Sequence, residues 1–599
     1  MTAFHEDDQD LESGYEGRVM RRLLAYLRPY KPILGLVFLS VVAASLMQIA
    51  QPFILREVID SQIQEGRTDN LGTLVLLFLA MLVGVFVLQF LQTVTITYVS
   101  QRVMMDMRLQ LFMHVEKMAI AFFDRNPIGR LVTRLTNDVA TIEEVLSRGV
   151  VEMVYNALLL TAIIIALFYL DWQLALALMI FVPALVFAVR RFAVALRETF
   201  RIQRAWLARL NAFLNENITG MAVVQLFNRQ DRNLQRFDDR NKGFLKASLR
   251  ATVYFAAFEP TVVLFNAVTI STIVWFGGGR VVQDEISLGT LIVFMQLMQL
   301  FFWPVRELAE RSTMFQQALA SCERIFSILD EPEEITDDTA ATTLQRIEGH
   351  VEFDKVWFAY DAENWVLRGV SFDIQPGEAV AVVGATGAGK STMMNLLNRF
   401  YDVQDGEIRV DGTPIKSLRQ RELRREVGMV LQDPFIFTDS VLENIRMRDD
   451  SISDERVKEA ARQVGAEAFI ERMPQGFESH LAERGANLST GQKQLISLAR
   501  VAAFNPKIVL VMDEATASID PETEAALQRS MSEVMSGRTS IIIAHRLNTI
   551  RHVNRILVLQ HGELVEEGTH EALLALGGIY ARLYELQYKD QDIGAERGI

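Results

Sequence analysis

Cysteine is almost missing from this sequence. A single one, Cys322, stands among 599 residues. One thiol excludes an internal disulfide framework and any metal site built from several cysteines. It also fits a chain whose soluble parts sit in a reducing compartment. A basic surplus is missing too. Lys and Arg number 60 against 74 Asp and Glu, leaving a formal charge of −14. A nucleic-acid-binding surface wants a basic stripe, so no nucleic acid is expected as a partner. The N-terminus, from Phe4 through Asp7, Asp8 and Asp10 to Glu12, lacks the basic region and apolar core of a signal peptide. Residues 1–17 therefore read as a disordered acidic tail.

Apolar residues, by contrast, make up 50% of the chain and crowd its first half. Six apolar segments each approach or exceed the ~20 residues that cross a bilayer. They are roughly 33–54, 72–97, 147–170, 173–194, 253–277 and 287–306. A basic amphipathic stretch, 18–31, precedes them and suits either an interfacial helix or a solvated helix end. The loops at 98–146 and 195–250 are long, basic and helical in their periodicity. The opposite side offers only Arg56, Arg67 and Arg280. The positive-inside rule puts both termini and both long loops in the cytoplasm. The spans are expected to continue as helices well beyond the bilayer. Each long loop holds a compact tip with few charges, Phe122–Leu131 and Ile218–Asn228. Such tips are natural docking knobs for a soluble domain, or they pack among themselves.

Polar residues inside the spans cost free energy unless they face protein or water. They include Gln48, Gln51, Gln89, Gln92, Thr93, Glu259, Asn266, Gln296 and Gln299. Phe294, Met298 and Phe301 recur at helical spacing beside the last two. A cavity for lipophilic or amphipathic molecules and plain helix packing both account for this pattern. Glu259 is the sharpest candidate to attract a cation.

Near residue 325 the composition turns soluble and acidic. The stretch Gly384-Ala385-Thr386-Gly387-Ala388-Gly389-Lys390-Ser391-Thr392 fits the phosphate-binding pattern G-x-x-x-x-G-K-[ST]. The apolar run 379–383 before it reads as a buried strand, and 391–400 after it as a helix. Glycines let the backbone turn tightly around a phosphate, and the helix N-terminus adds donors and dipole. Lys390 would reach the β and γ phosphates of ATP, and Ser391 would hold Mg²⁺. Tyr360 can stack on an adenine ring. The run 508–512 leads into Asp513 and Glu514; the first suits Mg²⁺, the second the attacking water. His545 and Gln432 end similar apolar strands. His545 is placed to contact the γ-phosphate, and Gln432 is counted with Ser391 and Asp513 as a metal-binding residue. Glu514, His545 and Gln432 form the catalytic set. Polar groups at the carboxyl ends of buried strands mark where α/β folds keep ligands.

Leu488-Ser489-Thr490-Gly491-Gln492, then Lys493 to Arg500, is similar to the signature L-S-G-G-Q of ATP-binding cassette (ABC) transporters. Ala482–Gly485 resembles the segment before it, Ala517–Asp520 the D-loop, and Phe122–Leu131 with 133–138 the first coupling helix. The resemblance spans about residues 20–588 and points to an exporter-type half-transporter. It implies an all-α six-helix transmembrane domain at 18–325, a linker at 326–350, an α/β P-loop cassette at 351–588 and a short tail at 589–599. It implies a dimer, with Ser489, Gly491 and Gln492 meeting ATP held by the partner. Thr490 stands where the family pattern has glycine, which favours a heterodimer with a second half-transporter over a homodimer. The implied activity is ATP-driven export of lipophilic or amphipathic compounds, drugs or lipids, across a membrane, by default a bacterial inner membrane. An ATP-gated regulator or channel, or an importer, on the same scaffold is the alternative. No substrate-capture or leader-cleaving domain is seen ahead of the first span.

Overall fold

The computed structural model describes residues 13–337, 347–361, 364–513, 521–544 and 550–587. The chain divides into two compact units. Unit 1 holds the residues up to Glu116 and Pro127–Glu331. Unit 2 holds Lys117–Asn126 and everything from Pro332 onward.

Unit 1 is helical. Helix α1, Ser13–Tyr26, is followed, among the described residues, by six helices long and apolar enough to cross a membrane. These are α2 (Arg28–Ile63), α3 (Leu71–Lys117), α5 (Ile128–Leu170), α6 (Trp172–Thr219), α8 (Gln230–Val282) and α9 (Leu288–Leu329). Several run far past the apolar segments, because the helical pattern continues through their polar stretches. Two short helices form the loop tips: α7 (Met221–Leu226) in this unit, and α4 (Ile120–Arg125), which belongs to unit 2. Residues 13–17, assigned to the tail by their composition, are helical. Val19 and Leu23 on the same helix are buried, and α1 lies along the end of α9. Arg22 pairs with Asp330 at 2.6 Å, and Tyr26 stacks on Phe326. Val19, Leu23 and Tyr26 of this basic helix are thus engaged with protein, while Leu24 is exposed. The helix α9 continues to Leu329, beyond the expected end of the membrane domain at 325.

Sharp turns in unit 1 are capped by side chains. Asp171 leaves α5 in extended conformation and accepts from Leu174 N at 2.8 Å, starting α6. Its carboxylate also pairs with Arg280 at 2.5 Å. Ser287 caps α9, and Asp60 accepts from Ser287 Oγ and from Gly289 N at 2.5 and 2.8 Å. A Cβ on Gly289 would sit 2.6 Å from the Asp60 carboxylate, so glycine makes room for that contact. Turns of π-helix interrupt the spans at 58–63, 134–138, 145–149 and 273–277.

The stripe Phe294, Met298 and Phe301 is buried in the core of unit 1 with Leu159, Ile163 and Leu174. Helix packing, the plainer of the two readings, accounts for it. Tyr155 donates its hydroxyl to Gln48 and also bonds Gln89, so three spans share a polar contact. Glu259 is exposed on α8, next to Pro260.

Unit 2 carries two sheets. An antiparallel sheet runs in the order β2-β1-β4-β5, with β1 Val351–Ala359, β2 Trp365–Ile374, β4 Asp405–Val410 and β5 Thr413–Pro414. The larger runs β10-β9-β3-β8-β7-β6. Its strands are β3 Ala379–Val383, β6 Val427–Val430, β7 Ile508–Asp513, β8 Thr539–Ala544, β9 Arg555–Gln560 and β10 Glu563–Gly568. All but β10 pair in parallel, which requires cover on both faces. The strand alternation supplies it. Ala381, Val383, Val509, Val511 and Ile542 pack into one core, while Val380, Val382, Leu510, Ile541 and Ile543 pack into the other.

Candidate functional site: a phosphate loop and a separate signature helix

The central strand β3 feeds the loop 384–389, which opens helix α10, Lys390–Leu397. Gly387 and Gly389 have φ of +83° and +100°, conformations that side chains disfavour. Gly384 is needed for space, since a Cβ there would lie 2.3 Å from the carbonyl oxygen of Leu559 in β9. At Gly389 a Cβ would meet Leu367 Cδ2 at 2.6 Å, and at Gly387 it would meet nothing within 4 Å. The loop is therefore clamped from behind at both ends and open at its crest.

Lys390 folds back over this loop. Its ammonium donates to the carbonyls of Gly384 and Ala385 at 2.7 and 3.1 Å, and it is 8% exposed. A cavity of about 420 Å³ lies on the loop. Thr386, Gly387, Ala388, Gly389, Lys390, Ser391 and Thr392 form one wall. Tyr360, Val366, Gln432, Met512 and Ile543 form the rest. Gly384 and Ala385 do not line it and are joined to it through Lys390. Tyr360 follows β1, keeps an exposed face, and shares a hydrogen bond of 3.2 Å between its hydroxyl and Thr392 Oγ1. Gln432 lies two residues past the end of β6.

The register of the sheet aligns the strand ends. Met512 pairs with Ile543, and Asp513 with Ala544, so β7 and β8 finish side by side. Of Asp513 only the backbone is described. Glu514 and His545, the next residues of these two strands, lie outside the described residues. Among the described residues no group of three His, Cys, Asp or Glu is placed to hold a metal. Ser391 and Gln432 do share the cavity, and such oxygen donors suit a hard divalent cation.

Helix α12, Thr490–Phe504, carries the signature. Ser489 caps it. Its hydroxyl accepts from Gln492 N at 3.3 Å, and Gln492 Oε1 accepts from Ser489 N at 3.0 Å, a reciprocal capping box. Gly491 is buried and Thr490 exposed at the first helical position. None of Ser489, Gly491 and Gln492 lines the cavity at the phosphate loop of its own chain.

Three functional candidates escaped the sequence reading. Arg500, at the far side of α12, donates to Asn444 O and Phe435 O at 2.7 Å each and to Asn444 Oδ1 at 3.0 Å. It thereby ties the signature helix to the segment just after Gln432 and to α11, Val441–Arg446. Burial pushes its guanidinium down to about 10, which leaves it charged at neutral pH. Tyr401 and Asp124 are the others. The tip α4, which belongs to unit 2, buries Phe122, and its Asp124 accepts from the Tyr401 hydroxyl. No motif spacing could have joined these two residues.

A phosphate loop on a central parallel strand, a signature helix and six membrane-length helices define an ATPase coupled to transport. Family models agree: residues 34–305 match the ABC transporter transmembrane region, and 367–517 the ABC transporter cassette. The chain belongs to the ABC transporter family, as an exporter, and is a multi-pass integral membrane protein that binds ATP. It is similar over almost its whole length to an uncharacterized ABC transporter ATP-binding protein, YknV of Bacillus subtilis (strain 168), with 37% identity over 98% of this chain and 97% of that one. The ATP-dependent lipid A-core flippase of Syntrophus aciditrophicus (strain SB) is 33% identical over 97% of this chain and 96% of its own. The solved structure of a bacterial Atm1-family ABC exporter with ATP bound matches with a TM-score of 0.76 at 28% identity, over 94% of this chain and 99% of that one.

Proposed function

We propose that this chain is one half of a dimeric exporter that moves lipophilic or amphipathic molecules, lipids among them, out of the inner leaflet side of a bacterial inner membrane. The observation that carries the dimer is the separation of the signature residues from the chain's own nucleotide cavity. Two copies of this layout close head to tail, each signature helix presenting its N-terminus to the ATP of the other. A second observation agrees. The tip α7 has no buried residue, and Met221, Val223, Leu226 and Phe227 are all exposed. In this reading it docks on the partner's cassette. The most apolar stretch of α3 likewise has no burial within the chain, which suits lipid and a partner helix.

In the cavity, Tyr360 stacks on adenine and the loop 384–392 with Lys390 holds the phosphates. Ser391, Gln432 and Asp513 would hold Mg²⁺, which supplies positive charge at the phosphate oxygens. Glu514 orients the water that attacks, and His545 contacts the γ-phosphate. The cassettes and long loops face the cytoplasm, following the basic loops. Thr490 adds a β-branched side chain on the surface that meets the partner's nucleotide, so a heterodimer with a partner bearing L-S-G-G-Q is favoured. The names of relatives supply only direction for the substrate; one is a lipid A-core flippase.

The test is ATP hydrolysis by this chain purified alone in lipid, with its assembly weighed by native mass spectrometry. A monomeric or inactive chain is expected, with activity restored by the second subunit. An active homodimer silenced by Glu514→Gln would overturn the heterodimer and keep the dimer.

A further inference from the structure

Tyr401 takes no part in the function described so far. It follows Phe400 in the turn after α10 and touches Tyr360, which lines the cavity, without lining the cavity itself. The two ring centroids are 5.1 Å apart with planes at 88°, and Phe358 completes the cluster at 5.6 Å from Tyr401. At its other end the Tyr401 hydroxyl donates to the Asp124 carboxylate in α4. Burial first, then that carboxylate, push the Tyr401 phenol up, so it stays a donor at every physiological pH. Asp124 sits in a short helix that Arg125 ties to Glu334, and Lys117, three residues before that helix, pairs with Glu333 at 3.9 Å. A continuous path therefore leads from the cavity wall to the tip: Tyr360, Tyr401, Asp124.

Each step of this path is directional. An edge-to-face ring pair depends on the angle between the rings. A phenol-to-carboxylate hydrogen bond is charge-assisted and short-ranged. A flat base laid on the open face of Tyr360 fixes that ring, and the ring fixes Tyr401. No member of the path belongs to the phosphate loop itself; the Tyr360 hydroxyl meets that stretch at its last residue, Thr392, at 3.2 Å.

We infer that Tyr401 is a positioning residue that reports the base end of the bound nucleotide to α4, without reference to the γ-phosphate. The inference rests on the reading that Tyr360 stacks on adenine. It makes ADP equivalent to ATP at this tip, because both carry the same base. Inorganic tripolyphosphate, which has phosphates and no base, fills the phosphate loop and leaves α4 unchanged.

The experiment is hydrogen exchange on the full chain in lipid nanodiscs, reading segments 117–126 and 384–392 together. ADP and ATP are expected to slow exchange in both segments. Tripolyphosphate, raised until 384–392 is protected, is expected to leave 117–126 as in the free protein. In Tyr401→Phe, ADP should still bind and protect 384–392, while its effect on 117–126 is lost. Asp124→Asn keeps an acceptor oxygen and should retain part of the effect. The double variant should lose no more than Tyr401→Phe alone. A purely packing role would shift exchange at 117–126 equally with and without ADP; that result overturns the inference, as does tripolyphosphate reproducing the ADP effect. If ADP fails to protect 384–392 in the unaltered protein, the nucleotide-site reading itself falls, which is a different failure.

Discussion

The phosphate loop makes a graded prediction across its three glycines. Each is replaced singly by alanine. At Gly387 the added methyl meets nothing within 4 Å, so only the left-handed backbone is strained. That costs about 1–2 kcal/mol, less a few tenths regained from the stiffer unfolded chain. At Gly389 the same strain is joined by a 2.6 Å approach to Leu367 Cδ2 and a 3.1 Å approach to Val366 O. Leu367 is fully buried but its methyl can swing, so overpacking adds about 1–3 kcal/mol. At Gly384 the methyl would lie 2.3 Å from Leu559 O. That oxygen belongs to β9, held between β3 and β10, and cannot retreat without shifting the sheet. A loss above about 4 kcal/mol is expected, a large share of an ordinary domain's stability. Hydrogen exchange in β3 and β9 reads this opening free energy within the cassette alone. Nucleotide affinity is the second axis. Gly387→Ala should cost the cassette the least of the three yet weaken ATP binding, because Gly387 lines the cavity and a methyl would add bulk to that wall. Equal destabilisation at Gly384 and Gly387 would refute the geometry, and so would undiminished ATP affinity in Gly387→Ala.

Other outcomes follow from the same site. Lys390→Ala should weaken ATP binding about tenfold or more, roughly 1.4 kcal/mol, in an equilibrium binding assay. Normal affinity would count against the phosphate-loop assignment. Glu514→Gln should cut turnover about 100-fold or more while ATP still binds, measured as phosphate release beside nucleotide trapping. Arg500→Lys keeps the charge but replaces a three-bond fork with a point donor, and should cost about 2 kcal/mol of cassette stability. Because burial lowers the Arg500 guanidinium only to about 10, this residue should add no pH dependence to thermal unfolding of the unaltered cassette between about pH 6 and 8.

The legible parts of this protein are those whose chemistry is local. A phosphate loop needs glycine at fixed offsets, so Gly384, Gly387 and Gly389 could be read before any fold was known. Span length and loop charge are equally local, and they gave six helices and the two tips correctly. Helix ends were less legible, since α2 starts at Arg28 and α9 reaches Leu329, where polar residues still keep helical spacing. The stripe Phe294, Met298 and Phe301 shows a further limit. Periodicity marks an apolar face but does not say whether protein or ligand covers it. The contact of Tyr401 with Asp124 spans 277 positions and leaves no trace in spacing.

The uncovered tip α7 has a consequence for how much of this protein a cell can keep. A copy outside the proposed dimer presents four exposed apolar side chains at the end of a long loop. Exposed apolar surface is what chaperones and proteases survey, and they remove such species continuously. In the proposed dimer, assembly would hide the tip and end that surveillance. If the two halves differ, the abundance of each would then be set by the scarcer one, without any dedicated control of synthesis.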